Sequence, residues 1–179
     1  MKYSLLLTIP LMAMVSLGFS QEKKAGPVLE NHGEVWTVEN PDFKTDTSAE
    51  FKLVFDIMDS PESHTEINKK IETAARFLNM HAQSGVPVSQ LKAALVLHGT
   101  AAKDIIHNEA YQARFGTVNP NYDLVKELLD AGVQVILCGQ SSKSRNYPKE
   151  DLIPGSKIAL SAMTALVQLQ NQGYRLIKF

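Results

Sequence analysis

Apolar and polar residues alternate along much of this chain in short blocks of two distinct periods. Phe51, Leu53, Phe55 and Ile57 recur at every second position, the period of a β-strand. A polar link follows over residues 60–66, in which Ser63 and Glu66 fit a capping box. Ile67, Ile71, Ala74 and Leu78 then continue at helical spacing to about Gln83, where Gly85 and Pro87 stop the helix. Residues 91–97 read as a second strand running into His98-Gly99-Thr100. Helical pieces are expected over 101–106 and 108–115, and Asn121 stands where it would cap a helix that buries Leu124 and Leu128 and ends at Gly132. Residues 133–137 are apolar and β-branched almost without interruption, as in a strand covered on both faces, and they deliver Cys138 to its carboxyl end. The series closes with a turn near Lys149, a strand over 157–160, a helix capped by Ser161 and ended by Gly173, and a strand over 174–179. The charges of that last strand, Arg175 and Lys178, suit a sheet edge.

Strand and helix alternate throughout this region, so the fold class is α/β: a three-layer α/β/α sandwich around a mainly parallel five-stranded sheet. Asp56, His98 and Cys138 all end strands and are therefore candidates for one edge of that sheet, the carboxyl edge where open α/β sheets bind ligands. Strand order cannot be read from the pattern.

Two stretches fall outside the alternation. Residues 1–20 begin with Met1-Lys2, continue uncharged from Leu5 to Phe19, and place Gly18 and Ser20 at minus three and minus one of a cut before Gln21. This is the pattern of a secretory signal peptide and implies an exported, periplasmic or extracytoplasmic protein. Residues 21–50 are polar, contain Gly26, Pro27, Gly33 and Pro41, and read as an arm with one short extended piece over 34–38. Trp36, the only tryptophan, is expected to pack this arm onto the domain or a neighbouring subunit. The domain proper is assigned to residues 51–179.

Composition narrows the function classes. Of 179 residues, 18 are Lys or Arg and 19 Asp or Glu. Without the leader, 17 bases face 19 acids in 159 residues, a net charge of −2 that favours neither nucleic acid nor an acidic membrane as partner. No dinucleotide fingerprint or P-loop is present and no cofactor is expected, because Gly139-Gln140-Ser141 lacks the glycine spacing both require.

The single cysteine changes the picture most. In an oxidising compartment Cys138 has no internal disulfide partner, so it is buried, modified, paired between chains or working as a thiol. The residues after it are placed to open a short helix whose N–H groups favour negative charge, and Lys143 and Arg145 stand close in sequence; that setting favours thiolate. The opposite reading is a small hydrophobe that ends a core strand. His98 is open in the same way: it donates a hydrogen bond, shuttles a proton or tunes the thiolate, or it is a satisfied structural residue.

The strand end LVLHG, the loop NPNYDLVKEL, the strand end VILCGQS, the segment DLIPG and the terminal block SAMTALVQLQNQGYRLIKF together resemble the exported branch of the DsrE/DsrF-like proteins, over roughly residues 51–179. The resemblance implies a flavodoxin-like core similar to the DsrE and TusD sulfur-relay subunits. It also implies a trimer or hexamer and a persulfide carried on Cys138, with His98, Gly139 and Gln140 lying in shared motifs without an assigned role. Sulfur donor and acceptor proteins are the partners this implies, although the relay subunits are cytoplasmic and lack a leader.

Three functions follow from these readings. The first is a persulfide carrier or sulfurtransferase-like protein using Cys138, with His98, Gly139, Gln140, Asp56 and Lys143 as possible supporting residues. The second is an oligomeric binding module for a small ligand or metal, although His98, His107 and Cys138 form no recognised metal motif. The third is an interaction protein whose cysteine is inert.

Overall fold

A computed structural model describes residues 22–178; the leader expected over residues 1–20 lies outside them. Five strands form one sheet: β1 (Phe51–Ile57), β2 (Leu91–Leu97), β3 (Gln134–Cys138), β4 (Lys157–Ala159) and β5 (Arg175–Ile177). All pairings are parallel and the spatial order is β4-β3-β2-β1-β5. The chain thus steps outward from β1 to β4 and then crosses the whole sheet to place β5 on the far side of β1. Both edge strands have three residues, short enough to offer little template for edge-to-edge pairing.

The direction of these steps decides which face each helix covers, because parallel crossovers are right-handed. The outward steps lay α1 (Lys69–Gln83) and α3 (Tyr122–Asp130) on one face, with α2 (Asn108–Phe115) following a 3₁₀ segment over Gly99–Ile105. The return step lays α5 (Ala162–Asn171) on the other face, where it touches all five strands. A short helix, α4 (Gly139–Arg145), joins β3 to β4. The expected three-layer sandwich is present.

Each strand distributes its side chains between the two faces by parity. Phe55, Ile57, Leu95, Leu97, Val135 and Leu137 point toward α1 and α3 and pack against Ile71, Leu78, Leu124 and Leu128. Val54, Ala94, Val96, Ile136 and Cys138 point toward α5 and meet Ala162, Ala165, Leu169 and Tyr174.

Several local expectations need correction. The first long helix starts at Lys69 and not near Ser63: Asn68 caps it, accepting from Lys70 N–H at 3.0 Å, while Ser63 bonds only to Thr65. Asn68 wins because its amide also donates to Asp59 O and Asp104 Oδ2, so a buried polar network holds it in place. Asn121 stands at the cap position of α3, but its side chain accepts from Asn68 N–H instead of capping. Residues 34–38 form no strand; a single antiparallel bridge joins Lys24 to Val35. The arm is anchored by buried Leu29 and Val35 and by fully buried Asn79. The Asn79 side chain accepts from Val28 and Leu29 N–H and donates to the carbonyls of Leu29, His32 and Gly33. Trp36 is half exposed, with the Lys23 ammonium over its ring.

Candidate functional site

Cys138 is the last residue of β3 and the N-cap residue of α4, so the strand hands its side chain to the start of a helix. The face toward α5 is also where that longer helix begins. Ser161 caps α5, its hydroxyl accepting from Thr164 N–H at 3.0 Å, and this brings Ala162 N–H to the same sulfur. The thiol makes no full capping hydrogen bond to α4. It nevertheless sits within the reach of several donors. Burial pushes the Cys138 thiol up, but the N–H groups of Ser141, Ala162 and Gln140 and the Ser141 hydroxyl together outweigh burial and hold it below its ordinary value. The residue is 6% exposed, packed on its flanks by Ile136 and Ala162. It is covered by protein but faces polar hydrogens.

Two glycines make this approach possible. A Cβ on Gly139 would lie 2.5 Å from Ala159 O and 3.1 Å from Leu160 O, so any side chain there would drive the start of α4 away from β4. Gly99 adopts φ +57°, and a Cβ there would meet Met58 O at 2.6 Å. Its N–H donates to Ser141 Oγ at 3.1 Å, which leaves the Ser141 proton free to point at the sulfur. Gln140 contributes through its backbone; its exposed side chain donates to Leu160 O at 3.2 Å.

His98 and Asp56 form a pair, Nε2 to Oδ1 at 2.8 Å, and Lys178 Nζ lies 3.4 Å from the second Asp56 oxygen. They share the α5 face with Cys138. Lys143 is exposed in the last turn of α4, and the groups that lower the thiol most are hydrogen-bond donors and not a cationic side chain. Ser141, Ser161 and Ala162 were missed as site residues. Ser161 was legible as a helix cap, but nothing in the sequence pattern shows that the helix it starts points at Cys138.

A second polar cluster lies at the carboxyl edge on the other face. Asp104 is fully buried, bound by Ser60 Oγ and Asn68 Nδ2 at 2.7 Å each, with Lys103 Nζ at 3.5 Å. Burial raises the Asp104 carboxyl despite these partners, and burial with the nearby Asp104 charge pushes Tyr111 up to about 12. Its members satisfy one another and fix the starts of α1 and α3, a structural role. The side chains considered for a metal are not assembled: among the described residues no group of three or more His, Cys, Asp or Glu is placed to hold an ion, and His107 caps α2. No described helix is long and apolar enough to cross a membrane.

The fold has known counterparts. The sequence profile of the DsrE/DsrF-like family matches residues 52–179. The chain belongs to the DsrE/DsrF-like family. Two solved structures share its fold. The protein of unknown function MTH1491 from Methanobacterium thermoautotrophicum is similar with a TM-score of 0.56 at 17% identity. The ychN protein from E. coli is similar with a TM-score of 0.53 at 19% identity. Each alignment covers 72% of this chain and 99% of the other. No curated protein matches the chain by sequence. In this DsrE-like protein, the matched region contains every residue of the Cys138 site and leaves out the docked arm.

Proposed function

We propose that this DsrE-like protein carries sulfur as a persulfide on Cys138. The observation that carries the reading is the convergence of N–H groups from the starts of α4 and α5 on the one sulfur atom available for the work. Such a seat favours thiolate over thiol, and a persulfide anion gains from the same donors. In loading, the thiolate attacks the outer sulfur of a sulfane-sulfur donor. A new S–S bond forms at Cys138 while the donor's S–S bond breaks and the electron pair stays on the donor sulfur. Unloading repeats the exchange, with an acceptor thiolate attacking the outer sulfur and Cys138 departing as thiolate. The cycle needs no second cysteine. Membership in the DsrE/DsrF-like family agrees with a sulfur-related role.

The same reading includes export, supported by the leader pattern of residues 1–20, and self-association. Support for the latter is an apolar surface on and beside α5: Leu160 and Met163 are about three-quarters exposed, and Val167 and Leu176 are also open.

The test uses the folded protein and inorganic polysulfide. After excess reagent is removed, the intact mass of the wild type is expected to rise by one or more sulfur atoms, and Cys138→Ser is expected to take up none. A wild-type protein that gains no sulfur, while its thiol still reacts with an alkylating agent, overturns the reading.

A further inference from the structure

Four adjacent strands each send one side chain to the same face at the carboxyl edge. In sheet order these are Cys138 on β3, His98 just past β2, Asp56 on β1 and Lys178 just past β5. The β2–β3 register ends at Leu97 opposite Leu137, so the next pair is His98 and Cys138. The strand geometry does continue that far: His98 N–H donates to Ile57 O at 3.0 Å, and its backbone stays extended at φ −153°, ψ −173°. Neighbouring strands are about 4.8 Å apart, so His98 and Cys138 occupy adjacent positions along this edge. The Asp56 bond occupies Nε2 and leaves Nδ1 without a hydrogen-bond partner among the described residues.

We infer that His98, held by Asp56, is the proton donor to the sulfur that leaves when Cys138 is loaded. This deepens the carrier reading and rests on it. The Cys138 thiolate attacks the outer sulfur of a persulfide donor. The Cys138 S–S bond forms, the donor's S–S bond breaks with its electron pair on the inner donor sulfur, and the Nδ1 proton passes to that sulfur, which departs as a neutral thiol. The ring ends neutral with its remaining proton on Nε2, the tautomer that Asp56 selects by accepting it. No oxidant or reductant is consumed. Asp56 is a positioning residue here and Lys178 balances its charge.

The groups that face His98 are few. Asp56, Lys178 and Cys138 lie on the neighbouring strands, and α5, packed across this face, has no titratable side chain over Ala162–Asn171. Lys143 and Arg145 of α4 are exposed, Lys52 and Lys92 lie near the strand starts, and Tyr174 bonds Gln134 at the far end of β3.

Disulfides that differ in the basicity of the leaving thiol test this, because they undergo the same exchange at Cys138 without ionising themselves. Bis(2-hydroxyethyl) disulfide expels a basic thiolate that benefits from a proton; an aryl disulfide expels a weakly basic one that does not. His98→Gln is expected to slow reaction with the alkyl disulfide by about tenfold or more and to leave the aryl reaction near the wild-type rate. Asp56→Asn is expected to act in the same sense with a smaller loss. Equal slowing with both disulfides, or no slowing with either, overturns the role of His98. A wild-type thiol that reacts with neither disulfide contradicts the carrier reading itself.

Discussion

The face of the sheet under α1 and α3 and the face under α5 share the same five strands but carry different loads. The first face is deep: Leu95, Leu97, Leu124, Leu128, Val135 and Leu137 are fully buried there, and its polar groups, Asp104 with Asn68 and Ser60, are sealed into a network that fixes helix starts. The second face has one helix, a core with small residues such as Ala94, Ala162 and Ala165, and a row of ionisable side chains along its carboxyl edge. A fold of this kind can place chemistry on its more thinly covered face. Shallow cover leaves polar hydrogens pointing at a sulfur atom, while the deep face supplies the stability that this arrangement does not.

Removing packing from the deep face is expected to have the largest effect. Leu95→Ala deletes a side chain with no exposed surface and should cost about 2–5 kcal/mol in denaturant unfolding. Gly139→Ala should cost less, about 1–3 kcal/mol, because the added methyl collides with the β4 backbone. Its diagnostic effect is chemical. Moving the start of α4 off the sulfur should raise the thiol toward its ordinary value, seen as a shift of the alkylation profile to higher pH. Ser161→Ala removes the cap of α5 and should cost about 1 kcal/mol, with a smaller shift in the same direction. If Gly139→Ala and Ser161→Ala destabilise the fold but leave the alkylation profile in place, the α5 face is merely thin packing and has no special hold on Cys138.

The smallest expected effect is a pH dependence of stability. The Cys138 thiol is lower in the folded protein than in the unfolded chain, so the unfolded state binds more protons between the two values. Its contribution is therefore fully present above the unfolded value and is lost as pH falls through the folded one. The stability gap between wild type and Cys138→Ser should widen as pH rises toward the ordinary thiol range. A gap that is constant or narrows with pH contradicts a depressed thiol.

Much of the architecture was legible in the chain because strands and helices here obey simple periods. The alternation at Phe51, Leu53, Phe55 and Ile57, the apolar run before Cys138 and the Ser161 cap all correspond to observed elements. Local signals failed where tertiary contacts decide. Ser63 offered a capping box, yet Asn68 holds the helix start because Asp104, far along the chain, accepts its amide proton. Half of the site was also readable. Asp56, His98 and Cys138 were legible as strand ends at one sheet edge, but the face they share was not, because residues 93–97 and 135–137 are apolar at both parities. What parity cannot encode is register and strand order, which make His98 the neighbour of Cys138 and Asp56 the neighbour of His98. The return crossover from β4 to β5, which aims the start of α5 at the sulfur, has no sequence period at all. Lys143 is near Cys138 along the chain but lies exposed in the last turn of α4.

The most direct test of the account is the ionisation of Cys138 in the native protein, followed by ultraviolet thiolate absorbance against pH with Cys138→Ser as the blank. The midpoint is expected clearly below that of an unstructured cysteine, and is expected to return toward the ordinary value in Gly139→Ala. A native midpoint at or above the ordinary thiol value, or a thiol that ionises only once the protein unfolds, would contradict it.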